Sequence, residues 1–396
     1  MSDTISPAAR EVHVHTGRRK PPYRSVRLIL FLAVSAAFAG GARAQESPAA
    51  TAFREGAVAQ QRGDLAGAAE AYRRAIAIDP QFAEAHANLG AVLGRLGQYE
   101  DAVLADRRAL AIKPGLTAAR VNLGLAHYRA GALASALEAF QAVHVADPSL
   151  LQARQLLGLV LVEMGRDAEA IPHLEASARA APDEPGVLFA LGRAYARRGD
   201  ARASEVAERL AHAPEGQALW HLLQGLVLQR DDRHQEGLDA FAKAAALNPA
   251  LPQLSLHVGV SRLALGDRDG ARRALGEALA ASDRDAAAHV YLGWMDEQED
   301  RLDDARRHAE RAVTLEGDLA ESRALLGRIL LKQGEPEPAT RSLEAAVAAE
   351  PRNAAWRFLL GQAYQRIGRT AAAAKEFAEA GRLKEQEVAG ERKQDE

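Results

Sequence analysis

Glycine recurs through this chain at one phase of a long repeat. The recurring glycines are Gly56, Gly90, Gly124, Gly158, Gly192, Gly225, Gly259, Gly293, Gly327 and Gly361. Eight of the nine intervals between them are 34 residues long, and the interval from Gly192 to Gly225 is 33. A fixed period of this size is typical of stacked supersecondary units, each of which contacts its neighbours. We therefore look for function on an extended surface rather than in a single pocket.

Within each period the residue pattern indicates two helices joined by a tight turn. The ninth repeat carries, in order, Leu326, Gly327, Leu330, Gly334, Ala339, Leu343, Ala346 and Pro351. The first three positions have helical spacing, Gly334 interrupts the chain, a second apolar stripe follows, and the proline ends it. We therefore predict an all-α chain in which each unit is a helix, a turn and an antiparallel helix.

The recurring glycine needs a packing explanation, because glycine inside a helix costs about 1 kcal/mol relative to alanine. We expect the first helix to let small residues of the second helix lie almost against its backbone. These small residues are Ala68, Ala102, Ala136, Ala170, Ala271, Ala305, Ala339 and Ala373.

This pattern resembles the tetratricopeptide repeat family, which has W-x2-L-G-x2-Y, then A-x3-F, then proline within 34 residues. Leu-Gly pairs begin at Leu89, Leu123, Leu157, Leu191, Leu292, Leu326 and Leu360, and the second-helix aromatics are Tyr72, Phe140, Phe241 and Phe377. The tryptophan is missing from its usual place, and repeats seven and eight lack the proline. The resemblance implies a right-handed α-solenoid of about ten stacked helix-turn-helix repeats, with a concave groove lined by the first helices.

The 33-residue interval from Gly192 to Gly225 is the one departure from the regular 34-residue spacing. Ser204 and Gly237 stand where alanine is usual, and Pro214 comes two positions early. We predict a short second helix in repeat five. This site is either a hinge between repeats 1–5 (residues 49–216) and repeats 6–10 (residues 217–387), or a tolerated loop deletion.

The first 44 residues have the pattern of an export signal. A basic segment, 1–27, precedes the apolar run 28–39, and Ala42-Arg43-Ala44 has the small-x-small form of a cleavage site. We predict a signal peptide, 1–44, cleaved after Ala44, and a short linker, 45–48. The alternative is an uncleaved anchor in the inner membrane. Either form places the repeats in the periplasm of a bacterium.

Charge and cysteine content exclude several classes of partner and site. The 50 basic and 53 acidic side chains of the chain become 43 and 51 without residues 1–44, a net charge of about −8. This charge disfavours binding to nucleic acid or to bulk anionic membrane. The chain has no cysteine, which excludes disulfides, thiolate metal sites and a lipoprotein anchor.

We find no pattern of catalytic or metal-binding residues. His86, His221 and His289 lie two and four repeats apart, too far to share a metal ion, so we assign them packing roles. The acidic run from Asp296 to Asp304 lacks the spacing and central glycine of a calcium loop, and we interpret it as a solvated helix end and turn. We expect no enzyme activity, no cofactor and no metal.

One stripe of the first helices is expected to face the groove and to bind a partner. Its residues are Phe53, Tyr128, Arg129, Phe189, Arg193, Arg197, Arg230, Trp294, Arg328, Lys332, Phe358 and Arg366. Aromatic and arginine side chains dominate binding hot spots, so we predict a locally basic groove for a peptide or helix with apolar anchors and acidic groups. The alternative for each arginine is that it only screens the helix surface from solvent and binds no partner.

The resemblance also guides the choice of function. The carboxylate clamp of some members is incomplete here: Asn88 and Asn122 match its asparagine, but Phe53, Ala57 and Ala118 stand where basic residues are needed. We predict a monomeric, non-catalytic scaffold that binds a protein in envelope assembly, secretion or polysaccharide export. The alternative is a glycan-binding protein, which would require clustered carboxylates in the groove, whereas candidates such as Glu163 and Glu297 are scattered over different repeats. After repeat ten comes a charged C-terminal tail, 388–396.

Overall fold

The computed structural model describes residues 47–251, 253–315 and 320–392. The signal peptide, its cleavage site and the anchor alternative lie outside these ranges. Within them the chain forms twenty α-helices and no strand. The helices are α1 (Pro48–Gln61), α2 (Leu65–Ile78), α3 (Ala83–Arg95), α4 (Tyr99–Ile112), α5 (Thr117–Arg129), α6 (Leu133–Ala146), α7 (Leu151–Glu163), α8 (Asp167–Ala180), α9 (Pro185–Arg197), α10 (Arg202–His212), α11 (Gln217–Arg230), α12 (His234–Leu247), α13 (Leu254–Ala264), α14 (Arg268–Ala281), α15 (Ala286–Gln298), α16 (Leu302–Leu315), α17 (Ala320–Lys332), α18 (Pro336–Ala349), α19 (Ala354–Arg366) and α20 (Thr370–Arg392).

The helices form ten successive pairs, which confirms the all-α helical repeat solenoid. Within a pair, the tight turn passes through one residue of positive φ. In repeats one to five this residue is a glycine, such as Gly131 (φ 80°), whereas Asp232 (φ 55°) and Asp300 (φ 57°) replace it in repeats six and eight. This left-handed conformation ends the first helix and reverses the chain, which is the usual use of glycine after a helix.

Seven of the ten recurring glycines face a large apolar side chain of the second helix of the same repeat. A Cβ built on Gly124 would lie 2.5 Å from Phe140 Cε1, and one on Gly327 would lie 2.5 Å from Leu343 Cγ. The side chain nearest to these glycines is thus the larger residue rather than the alanine that the sequence singled out. The alanine stands four residues earlier on the second helix, whereas the larger residue fills the space that a glycine leaves.

Repeat five contains the predicted short helix. Its second helix, α10, has 11 residues, whereas the second helices of the other repeats from one to nine have 14. The nearest atom to a Cβ on Gly192 belongs to Leu223 of α11, 2.7 Å away, rather than to α10. The core thus continues across the irregular repeat through the next first helix. Whether this repeat is a hinge stays a prediction.

The last helix, α20, is longer than the other second helices and extends to Arg392, so the predicted charged tail begins within it. Ala373, Ala380 and Leu383 are buried, whereas Ala374 and Lys375 are exposed. Small and charged residues thus cover the end of the array, as soluble repeat proteins require. In the described part of the chain no helix combines the length and apolar character that crossing a membrane requires.

Repeat two has a buried acid at the position where seven other repeats pack a large apolar side chain against the glycine. Asp106 lies against Gly90, is fully buried, and has no hydrogen-bond partner among the described residues. The nearby Asn122 amide donates to Ala87 O at 3.1 Å. Burial raises the pKa of Asp106 to about 9, which the neighbouring Asn122 opposes only in part. The carboxyl group is therefore protonated at neutral pH.

A pair of glycine-to-alanine variants separates packing from helix propensity. Gly124→Ala should lower the free energy of unfolding by about 1–3 kcal/mol, because the new methyl group overlaps the Phe140 ring. Gly276→Ala in α14 should instead raise it by up to about 1 kcal/mol, since nothing lies within 4 Å of the added Cβ. Urea unfolding followed by circular dichroism measures both. A neutral or stabilising Gly124→Ala would contradict the packing role.

Replacement of Asp106 should stabilise the protein. Asp106→Leu restores an apolar side chain and should add about 1–3 kcal/mol at pH 7, because burying an unpaired polar group is costly. The pKa of Asp106 is about 9 in the folded chain, against about 3.9 when unfolded. The stability that wild type keeps below pH 4 is therefore lost as the pH rises towards 9. Asp106→Asn should remove this pH dependence, and an unchanged profile in both variants would refute the assignment.

Candidate partner-binding groove

The predicted groove residues stand on the first helices, but several of them have structural contacts. Five basic side chains reach back to the carbonyl groups at the end of the preceding first helix. The pairs are Arg129 with Gly94 O (3.3 Å), Arg197 with Val162 O (2.6 Å), Lys332 with Glu297 O (3.5 Å), Arg230 with Ala196 O and Arg366 with Leu331 O. The last carbonyl groups of a helix lack partners within it and carry partial negative charge. These five cations therefore join consecutive repeats.

Carboxylates neutralise most of the positive charge in this stripe. Arg193 pairs with Glu163 at 3.0 Å, and Arg328 pairs with Glu297 at 3.0 Å. The remaining pairs are Arg197 with Asp167, Arg230 with Asp231 at 2.7 Å, and Lys332 with Glu297. Four carboxylates, on preceding repeats or adjacent in the chain, thus face these five cations, and Glu297 is shared by two of them, so this stripe is less basic than expected. Glu163 and Glu297, the candidate glycan-site carboxylates, are both held in ion pairs.

The acidic run around α15 is only partly solvated. Asp296 and Glu297 are each 2% exposed. Arg272 donates to Asp296 Oδ1 at 2.7 Å, and Arg301 contacts the same oxygen. The expected helix end and turn are present, since α15 ends at Gln298. The prediction of solvation was wrong for the first two acids, because arginines from α14 and from the following turn pair with Asp296 as it is buried.

The three histidines make local contacts, and two of them connect a loop to a first helix. His86 Nε2 lies 3.2 Å from Pro80 O, and His289 Nε2 lies 3.2 Å from Asp283 O. The His221 ring centroid is 4.6 Å from that of Trp220. These contacts are the packing roles that their positions predict. The described residues contain no group of three or more potential ligands placed to hold a metal ion.

The groove side of repeats three to seven is occupied by side chains of the chain itself. Arg193 is only 11% exposed and donates to Gln253 at 3.5 Å, and Gln253 in turn donates to Glu163 at 3.5 Å. Tyr128 packs on the apolar cluster that runs from repeat three to repeat six, and Phe189 packs on both that cluster and the one of repeats six and seven. Burial raises the pKa of Tyr128 strongly, and the Glu163 charge adds to this. Arg193, Gln253 and Glu163 thus contact one another, and the two aromatic side chains pack on the apolar core.

Two further aromatic residues of the stripe are supported by rings of the same chain. The Phe53 ring lies 4.8 Å from that of Phe82 and 5.5 Å from that of Tyr72. Phe358 is exposed, and its ring is 5.4 Å from that of Phe377. Phe53 is thus largely a packing residue, whereas Phe358 presents a surface to solvent.

An open apolar cleft lies on the first helices α13, α15, α17 and α19. Its volume is about 400 Å³, and we call it the aromatic cleft. It is lined by Leu263, Val290, Tyr291, Trp294, Glu321, Ala324, Leu325, Arg328, Ala355, Trp356 and Leu359. Trp294 and Arg328 are predicted groove residues. A cleft of this size with a few convergent polar groups is the usual form of a binding site.

Sequence reasoning missed Tyr291 and Trp356, although both carry a signal. Tyr291 stands three residues before Trp294 on α15, so the two share a face of that helix. Trp356 stands five residues before Gly361, as Trp220 does before Gly225. The predicted stripe was chosen around the Leu-Gly pair, so it did not include the position five residues before the glycine.

The polar residues of the aromatic cleft are both on α17. Glu321 is exposed, and Arg328 stands seven residues later, about 10 Å along the helix at 1.5 Å per residue. Arg328 forms an ion pair with Glu297 through Nη2. Its Nε is buried without a hydrogen-bond partner among the described residues. Burial raises the pKa of Tyr291, and Glu321 adds to this rise. The cleft thus has an acid and a base on one wall of an apolar surface.

Comparisons with known proteins agree with this architecture. A family model described as "TPR repeat" matches residues 60–97. No curated protein matches the chain. The crystal structure of the APC/C hetero-tetramer Cut9-Hcn1 is similar, with 17% identity, a TM-score of 0.54, and 85% of this chain and 73% of that chain covered. The crystal structure of the yeast Tom70 has 13% identity, a TM-score of 0.44, and covers 85% and 92%.

A second family model accounts for most of the remaining repeats. It is described as "Tetratricopeptide repeat" and matches residues 117–150, 156–204, 259–321 and 324–387. These segments make up more than half of the chain and include the helices that line the aromatic cleft. The chain therefore belongs to the tetratricopeptide repeat family.

Proposed function

We propose that this chain is a non-catalytic scaffold that binds a segment of a partner protein in the aromatic cleft. The observation that carries the proposal is the open apolar surface formed by Tyr291, Trp294 and Trp356. Tryptophan and tyrosine bury a large area with few rotatable bonds, and they are the residues most enriched in binding hot spots. A similar structure, Cut9-Hcn1, is titled a hetero-tetramer, which is in line with a role in protein assembly.

The chemistry of the cleft defines the expected partner segment. Bulky apolar side chains would fill the space between α15, α17 and α19, and one acidic side chain would accept from Arg328. A basic side chain about two helical turns away would face Glu321, so the two charges would also fix the direction of the segment. A helix with an apolar stripe, or an extended peptide, meets these requirements.

The cellular setting completes the proposal. The basic segment, apolar run and small-x-small site of residues 1–44 support export to the bacterial periplasm. The exposed charges of α20, Lys375, Arg382 and Lys384, support a monomer, because charged groups at the end of an array disfavour the association of two arrays end to end. We infer that the scaffold serves envelope assembly, secretion or polysaccharide export, and that the anchored form is the alternative if the signal is not cleaved.

Truncation of the two tryptophans tests the binding role of the cleft. Peptides selected from a random display library on residues 45–396 should be enriched in aromatic or aliphatic residues next to Asp or Glu. Trp294→Ala combined with Trp356→Ala should weaken their binding at least about tenfold, since hot-spot truncation commonly costs more than 1.4 kcal/mol. Calorimetry measures the affinity, and circular dichroism confirms that the helices persist.

Leu104→Ala provides the matched control for this experiment. Leu104 is 65% exposed on a second helix, α4, so its truncation removes apolar surface outside the cleft. It should leave the affinity unchanged. Equal binding by the double variant and wild type would show that the cleft is not the binding surface. Selection of glycans in place of peptides on an oligosaccharide array would favour the glycan-binding alternative.

The signal assignment predicts a defined mature N-terminus. When the chain is expressed with its own leader in a bacterium, the periplasmic fraction should contain a protein that begins at Gln45. Intact mass and N-terminal sequencing measure this directly. An Ala42→Arg, Ala44→Arg variant should stay uncleaved, because large charged residues do not fit the small-x-small site. Full-length wild type in the membrane fraction would support the anchored form instead.

A further inference from the structure

Arg284 connects parts of the chain that are far apart in sequence. It lies in the loop between α14 and α15, and its Nη1 is 3.2 Å from Glu100 Oε1. Its Nη2 donates to Ala130 O at 3.0 Å, and its guanidinium carbon lies 5.5 Å from the Tyr99 ring centroid. One side chain of repeat seven thus meets the start of α4 and the end of α5.

This contact differs from the regular contacts between repeats. The cations that join consecutive first helices span 34 or 35 residues, whereas Arg284 spans 184 residues to Glu100 and 154 to Ala130. It therefore bridges about five repeats. A solenoid in which each repeat contacts only its neighbours makes no such contact. The array must therefore curve so that the turns within repeats two and three lie close to the loop between repeats seven and eight.

Gln253 forms a second bridge in the same direction. It lies in the loop before α13, has φ 64°, and contacts Arg193 and Glu163, which are 60 and 90 residues away. Both distances are 3.5 Å, at the long end of hydrogen bonding. The two bridges join loops of the second half of the array to helices of the first half: Arg284 contacts α4 and the end of α5, and Gln253 contacts α7 and α9. The short α10 lies between the two halves.

The electrostatics make the Arg284 bridge sensitive to salt. Glu100 is 72% exposed and Arg284 is 28% exposed, so the ion pair stands at the surface, where such pairs are weak and screened. The Arg284 Nε is buried without a partner among the described residues, which further weakens the contact. The bond to Ala130 O uses the negative end of α5, which also depends on ionic strength.

We propose that Arg284 is an intramolecular clasp that holds the array closed on itself, and that its release widens the concave side between repeats three and seven. Because the neighbour-to-neighbour packing is the same in both states, opening requires only small rotations spread over several repeats. The Gln253 bridge opens with the clasp and frees Arg193 and Glu163. The aromatic cleft lies within repeats seven to ten and stays intact, so this proposal stands independently of the partner-binding proposal.

The absence of cysteine from the sequence allows a direct distance measurement. Arg108→Cys on α4 and Glu277→Cys on α14 are exposed positions for a pair of spin labels that reports the separation of repeats two and seven. Pulsed dipolar spectroscopy on the otherwise intact chain should give one narrow distance at low salt. Arg284→Ala should lengthen it by roughly 5 Å or more, beyond the ~1–1.5 Å of thermal displacement. Wild type at about 1 M salt, where the Debye length is about 3 Å, should show the same lengthening of the label distance as Arg284→Ala.

Controls make the result decisive. Arg273→Ala removes the same charge from an exposed position of α14 and should keep the wild-type distance. A second label pair, Lys243→Cys and Glu277→Cys on neighbouring repeats, should be unchanged in all variants, which excludes local unfolding. Glu100→Gln leaves Arg284 in place and should give a smaller lengthening than Arg284→Ala. If Arg284→Ala, Glu100→Gln and high salt all retain the wild-type distance while the neighbouring pair is intact, the clasp proposal is overturned.

Discussion

The contact between a glycine of the first helix and a large side chain of the second is the constraint on which the rest of the structure depends. Phe140 against Gly124 and Leu343 against Gly327 bring the two helices close enough for the aromatic or leucine residue to be fully buried. Close packing of this kind makes each unit rigid, so the spacing between units is set by the sequence period. The surface residues of successive first helices then fall into register. The five cations that join consecutive repeats and the aromatic cleft both follow from that register.

The repeat could be derived from the sequence because its signals are local and periodic. Ten glycines in phase indicate ten helix pairs, and the 33-residue interval correctly predicts a short α10. The role of the glycine was misread, since spacing alone does not tell whether Ala136 or Phe140 lies against Gly124. Asp106 could be located by its place in the repeat, but its burial without a partner depends on packing by neighbouring repeats.

The candidate site could be predicted only in part, because charges find partners that lie a repeat away. The sequence predicts Arg193 and Arg328 as partner-binding residues, whereas in the structure they form ion pairs with Glu163 and Glu297. Trp294 was found from its position beside the Leu-Gly pair, whereas Trp356, at an earlier position of its helix, was missed although it lines the same cleft. Arg284 has no periodic signal at all. Contacts between distant repeats arise from the accumulated rotation of many units, which no local pattern encodes.

The buried acid of repeat two also bears on how the array comes apart. In a linear array each repeat is stabilised by its neighbours, so the ends separate most readily and a weak repeat near an end defines how far fraying extends. Asp106 stands in the second of ten repeats, and α4, which carries it, also holds Glu100 and Tyr99 beside Arg284. Loss of the Asp106 proton in alkali is therefore expected to destabilise α4, and with it the side chains that Arg284 contacts.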